Sequence, residues 1–249
     1  MSTWLLLRGW AREARHWGHF LPLFRAAVQP ARVLALDLPG SGELRTQASP
    51  LAVARIVERL RHALDERAVR PPYSLLGLSF GGMVAIDWAT RHAAEVERCA
   101  LLGTSARPFC AVYERLRWAA LGSIAKILLT RDIAARERAI LALVSSDEQR
   151  RQDALGAWIR IAEDGGIRFA NTLRQLVAAA RYRAPTRPPD MPVLLLAGRG
   201  DRLVDRRCSE NLARAWRVPL RAHPTAGHDL ALDAGAWVVD EVAAWLRHG

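Results

Sequence analysis

The sequence predicts an α/β protein built on a mostly parallel, doubly wound sheet that a helical insertion interrupts. Three observations carry this reading. Short runs that are apolar at nearly every position recur along the first 104 residues. Helical patterns separate them, and a helix of that kind is what joins two parallel strands. The alternation then stops, and it resumes near residue 189.

Thr3–Leu7 is the first strand and runs into Gly9. A helical pattern over 16–27 leads to the second run, Arg32–Leu36, which ends in Asp37-Leu38-Pro39-Gly40. A helix over 50–67 precedes the third strand, 73–76, which stops at Gly77. A helix over 81–92 then leads to Val96–Leu102, closed by Gly103. Continuous rather than alternating hydrophobicity suits strands covered on both faces. Residues 105–188 hold no strand run and read as helices over 111–129, 132–145, 146–163 and 167–180, with Pro185, Pro188 and Pro189 marking the return. A strand at 193–197, a helix at 208–217, a short strand Leu220–His223 and a closing helix at 235–247 complete the chain. The expected organisation is one core, 1–104 with 189–249, and one cap, 105–188.

Composition narrows the class. Of 249 residues, 51% are hydrophobic and 24% charged, which excludes a disordered, collagenous or coiled-coil chain. No apolar run approaches the roughly 20 residues of a membrane-spanning helix. No charged leader with an apolar stretch opens the sequence, which points to a cytoplasmic location. The net charge is +11, and Lys126 is the single lysine among 36 basic side chains. The arginines are scattered as on solvated faces, and more than half of the excess falls within 105–188. Such a field attracts anions. Without zinc-ligand clusters or a basic-aromatic RNA motif, an acidic protein or anionic substrate suits it better than nucleic acid. Cys99, Cys110 and Cys208 are odd in number and far apart, which fits core packing rather than a disulfide or metal site.

Gly77-Leu78-Ser79-Phe80-Gly81-Gly82 follows a strand and opens a helix. A nucleophilic serine must stand clear of the backbone on a sharp turn, and side chains two residues to either side would collide there. The following helix aims its first N–H groups at a developing anion. The alternative, a phosphate-binding loop, wants a Lys-Ser/Thr pair or Gly-x-Gly-x-x-Gly spacing, and neither is present. A hydroxyl also needs a base, and the base an orienting carboxylate. Asp201 follows the strand at 193–197, and His228 follows Leu220–His223. Strand ends are where a parallel sheet gathers its functional groups. Asp201 and His228 each read equally well, alone, as turn or loop residues, and Asp205 is the alternative acid. The order Ser79, Asp201, His228 is what joins them.

With these motifs the chain resembles the α/β-hydrolase family over essentially its full length, in its serine esterase branch. Gly-Leu-Ser79-Phe-Gly-Gly resembles the nucleophile turn, Asp37-Leu-Pro-Gly-Ser-Gly42 the turn after an early strand, Gly-Arg-Gly-Asp201 the acid loop and Gly-His228 the base loop. Within that branch the chain is similar to the pimeloyl-acyl carrier protein methyl ester carboxylesterases. The resemblance implies an oxyanion hole from the N–H groups of Trp10 and Phe80, and substrate contacts from Trp10, Leu78, Leu203 and Val204. It implies no metal or organic cofactor. It also implies an acidic carrier protein as partner, with Arg131, Arg136, Arg138, Arg150 and Arg151 as candidate contacts. Two positions depart from the pattern. Arg8 stands before Gly9 where the family carries histidine, and is expected to form a salt bridge or to bind an anionic group near the mouth. Leu78 stands where the biotin-pathway esterases carry tryptophan.

The expected activity is hydrolysis of a carboxylic ester through an acyl-enzyme, acyl-carrier methyl esters included. The alternatives are the same three residues acting on a thioester, a lactone or a carbon–carbon bond, and a non-catalytic binding protein on the same scaffold.

Overall fold

The computed structural model describes residues 3–248. Six strands form one sheet: β1 (Thr3–Leu7), β2 (Arg32–Leu36), β3 (Tyr73–Leu78), β4 (Val96–Leu102), β5 (Val193–Gly198) and β6 (Leu220–His223). Every neighbouring pair is parallel, and the order is β2-β1-β3-β4-β5-β6. β3 and β5 run slightly beyond the apolar residues that predicted them, because their final residues stay in register with β4 and β6.

The pleat splits each strand between two cores. Leu5, Leu7, Leu75, Leu101 and Leu195 face α2 (Val53–Glu66), α3 (Phe80–Arg91) and α9 (Arg207–Trp216). Trp4, Leu6, Leu76, Ala100, Leu102 and Leu196 face α1 (Phe20–Ala27), α10 (Leu230–Asp233) and α11 (Gly235–His248). Both faces are therefore dry, and each buried leucine contributes roughly 1.5–3 kcal/mol. This is the reason the strand runs read as continuous hydrophobicity.

Between β4 and β5 the chain forms five helices: α4 (Val112–Arg115), α5 (Trp118–Leu129), α6 (Ile133–Val144), α7 (Glu148–Glu163) and α8 (Phe169–Arg181). The ends of this excursion meet at the core, where the Ala184 N–H donates to the Arg107 carbonyl at 2.7 Å. The single helix expected over 111–129 is two. Arg117 is extended and donates its N–H to the Leu203 carbonyl (3.0 Å), while its Nη1 donates to the Asp201 carbonyl (3.2 Å). A tie to the loop after β5 thus interrupts the helix. Likewise the helix expected from residue 16 starts only at Phe20, because Gly18 adopts φ +47°.

Candidate active site

β1 connects outward to β2, whereas β3 lies on the opposite side of β1. The connections reverse direction between β1 and β3, and a crevice opens beyond the strand ends at such a point. The turns holding Trp10 and Ser79 lie on either side of it.

Ser79 caps α3 with φ +55°, ψ −112° and donates its N–H to the Leu102 carbonyl at 2.8 Å. A side chain with φ in this region is strained, and such strain concentrates at functional sites. The turn closes only because its neighbours lack side chains. A Cβ on Gly77 would lie 2.5 Å from the Gly81 carbonyl oxygen, and one on Gly81 would lie 2.1 Å from the Leu7 carbonyl oxygen. The second contact also brings the β1 and β3 turns together. Phe80 opens α3, where N–H groups lack an intrahelical acceptor. Among the described residues, neither the Phe80 nor the Trp10 N–H is bonded to a protein acceptor. The Trp10 turn is held from the cap: Gln175 Oε1 accepts the Ala11 N–H (3.0 Å), and the Trp10 indole donates to the Thr172 carbonyl (2.8 Å).

Asp201 Oδ1 accepts the N–H groups of Leu203 (2.8 Å) and Val204 (2.9 Å). Its Oδ2 lies 2.7 Å from His228 Nδ1. Both side chains are buried. The His228 ring packs on Gly103, where an added Cβ would lie 3.5 Å from ring atoms. Burial alone would lower the imidazole pKa. The Asp201 charge and hydrogen bond, with Asp229 behind them, outweigh it and raise the pKa above the ordinary value, against a smaller opposing effect of Arg8. Asp205, the alternative acid, instead accepts the Arg207 N–H at the start of α9 (3.0 Å).

Ser79 and His228 line one cavity of about 220 Å³. Among the described residues the Ser79 hydroxyl makes no hydrogen bond to His228; such contacts commonly tighten when substrate binds. Ile124, Ile127, Leu128, Ile140 and Leu143 of the cap supply an apolar wall, joined by Trp10, Leu78 and Leu203. Val204 does not line it. It packs with Cys110 and Cys208 instead.

The arginines divide. Arg131, Arg138 and Arg150 are exposed on the cap. Arg136 lines the cavity beside Glu137, and Arg151 is committed to Glu148 and the Ser145 carbonyl. Arg8 is no partner contact: it is 2% exposed and forked onto Asp229 at 2.6 and 3.2 Å. Of the two roles expected for it, the salt bridge is the one formed. Sequence reasoning missed Asp229, Gln175 and a second buried pair, Arg12 with Glu137 (2.8 Å), in which Arg12 also lies 4.7 Å from the Trp158 ring. The only signal for the first was a charge at each of two neighbouring motifs.

The sequence profile of the Alpha/beta hydrolase family matches residues 4–241. A pimeloyl-[acyl-carrier protein] methyl ester esterase of Aromatoleum aromaticum is 30% identical over 218 residues, 84% of this chain and 83% of that protein. A protein of the same name from Xanthomonas oryzae is 35% identical over 85 residues, 34% of this chain and 30% of that one. Among solved structures, an enol-lactonase of Burkholderia xenovorans LB400 superposes with TM-score 0.79 at 19% identity, covering 99% of this chain and 92% of its own. An esterase from Rhodococcus sp. ECU1013 does so with TM-score 0.74 at 22% identity, covering 99% and 90%. No described helix is long and apolar enough to cross a membrane. The parallel six-stranded sheet and the match along nearly the whole sequence lead to one conclusion: this chain belongs to the alpha/beta hydrolase family.

Proposed function

We propose that the protein is a serine esterase that cleaves a carboxylic ester through an acyl-enzyme. One observation carries this reading: Asp201 faces His228 Nδ1 at 2.7 Å, and His228 shares a cavity with a serine on a strained strand–helix turn. In the proposed mechanism, Nδ1 keeps its proton toward Asp201, which leaves Nε2 free to accept the Ser79 proton. Ser79 Oγ attacks the acyl carbon, and the carbonyl oxygen becomes an anion. The Trp10 and Phe80 N–H groups receive it; loss of one such donor typically costs about a hundredfold or more in rate. The imidazolium returns its proton to the leaving alcohol. Water, activated by the same histidine, then hydrolyses the acyl-enzyme.

The apolar cavity wall suits an acyl chain rather than a polar one. The relatives' name suggests an ester carried on an acyl carrier protein. Exposed Arg131, Arg138 and Arg150 are the cations available to an acidic carrier. The test is intact-mass labelling with a fluorophosphonate, on wild type beside Ser79→Ala, followed by a substrate panel. A single adduct on wild type and none on the variant is expected. Faster turnover of a carrier-bound methyl ester than of the free ester is expected in the panel, with the gap narrowing in high salt. Absence of an adduct on folded wild type would overturn the esterase reading in favour of a binding protein.

A further inference from the structure

The geometry points to Arg8 and Asp229 as a positioning pair, whose ion pair ties the loop bearing His228 to the turn bearing the Trp10 N–H. The inference rests on the proposed roles of those two residues. Arg8 leaves β1 two residues before Trp10, and Asp229 follows His228 directly. Their side chains are 2% and 4% exposed, and both guanidinium Nη atoms engage both carboxylate oxygens, at 3.2 and 2.6 Å.

The pair is anchored at both ends, although the buried Arg8 Nε has no hydrogen-bond partner among the described residues. Asp229 Oδ1 also caps α10 through the Leu232 N–H (3.2 Å), and the Asp229 N–H donates to the Val144 carbonyl at the end of α6 (2.9 Å). The Arg8 guanidinium lies over the Trp17 ring at 4.8 Å. Stability does not require charges here, since well-packed apolar residues commonly replace a buried ion pair at no loss. What a two-bond fork supplies, and an apolar contact does not, is a fixed direction between the parts it joins. The direction matters because Trp10 and His228 serve the same tetrahedral centre from different loops. A misplacement near 1 Å costs about a hundredfold in rate.

The pair is also electrically balanced. The charged groups facing His228 are Asp201 from the loop after β5, Asp229 on its own loop and Arg8 from the end of β1. Asp229 favours the imidazolium and Arg8 opposes it. Arg12, the next cation along the cavity wall, is held by Glu137. Removing either member of the pair alone therefore moves the His228 titration in opposite directions.

The experiment compares wild type with Arg8→Lys, Arg8→Gln, Asp229→Asn and the double variant Arg8→Met/Asp229→Leu. It measures thermal midpoint, kcat and KM on a p-nitrophenyl ester, and the pH profile of kcat/KM. Asp229→Asn keeps an oxygen for the Leu232 N–H but leaves the Arg8 charge uncompensated, so its thermal midpoint is expected to fall and its kinetics are read well below that midpoint. Its kcat is expected to fall about tenfold to a hundredfold with KM within threefold, and its acid limb to move to lower pH. The Arg8→Gln limb moves to higher pH. Arg8→Lys keeps the charge but loses the fork, so it loses kcat at least fivefold with an unmoved limb. The double variant loses kcat with both charges gone and its limb near that of wild type. Wild-type kcat in both Arg8→Lys and Asp229→Asn, or limbs that do not move in Asp229→Asn and Arg8→Gln, would overturn the inference. If wild type itself neither hydrolyses the ester nor labels at Ser79, the esterase reading has failed instead.

Discussion

Asp201→Asn tests the proposed chemistry with little disturbance of the fold. The asparagine side-chain oxygen can take over the Leu203 and Val204 N–H bonds now made to Oδ1. Its NH2 group then occupies the Oδ2 position, 2.7 Å from His228 Nδ1. Two donors cannot face each other at that distance, so Nδ1 gives up its proton and Nε2 carries it instead. His228 is then unable to accept the Ser79 proton. The same exchange in a serine protease lowers kcat about ten-thousandfold, which is about 5.4 kcal/mol at 1.36 kcal/mol per decade. The loss also includes the imidazolium stabilisation that now holds the His228 pKa above its ordinary value despite burial. The assay is kcat/KM on a p-nitrophenyl ester at pH 8, beside a thermal melt and the control Asp205→Asn. Asp205 bonds the Arg207 N–H rather than His228, so its loss should cost less than threefold. Asp201→Asn activity within tenfold of wild type, with the melt unchanged, would refute the role assigned to this carboxylate.

Four further outcomes follow from the geometry. Because burial lowers the His228 pKa but Asp201 and then Asp229 raise it more, the acid limb of kcat/KM should lie above pH 6.5; a limb at pH 5.5 contradicts this balance. Burial raises the Asp87 pKa to about 6, its Oδ2 lacks a partner, and Arg91 offers only a 3.8 Å contact. A folded-state pKa above the unfolded one makes ionisation destabilising, so stability falls as pH rises from about 4 to 6. Asp87→Asn should then stabilise by about 1–2 kcal/mol at pH 8, after allowance for solvent screening, and by nothing near pH 3.5, as read by urea denaturation. Glu137→Leu leaves the Arg12 guanidinium uncompensated beside Trp158 and His16, and should cost about 3 kcal/mol; an unchanged denaturation midpoint counts against the pair. Gly81→Ala places a Cβ 2.1 Å from the Leu7 carbonyl oxygen, so this variant should fail to yield folded protein; a soluble, active preparation would mean that the turn can relax.

The sheet was legible in the sequence because each interior strand is covered on both faces, and that covering leaves a local mark: an unbroken apolar run. The sequence could not say that Arg117 would break the helix read over 111–129, because its partners lie in the loop after β5, 84 residues away for Asp201. Ser79, Asp201 and His228 were found as local exceptions to their surroundings, a serine between glycines and two polar residues at strand ends. Sequence placed them in order; it did not bring Asp201 within hydrogen-bond reach of His228, which the adjacency of β5 and β6 accomplishes.

The charged residues divide along the same line. In the sequence Arg12 is one arginine among many, Arg8 stands out only as the residue before Gly9, and Arg136 and Arg138 read alike as cap arginines. Folding buries Arg8 against Asp229, 221 residues away, seals Arg12 against Glu137, 125 residues away, sets Arg136 on the cavity wall and leaves Arg138 in solvent. Sequence by itself determined the fold class, the strands and the glycine-flanked turn at Ser79, since backbone sterics and hydrophobic periodicity act over a few neighbouring residues. Tertiary structure alone decided which charges are paired, which are free and which side chains meet in the cavity. A charge is worth little in water and a great deal in a dry interior, and only the packed chain determines which of the two surrounds it.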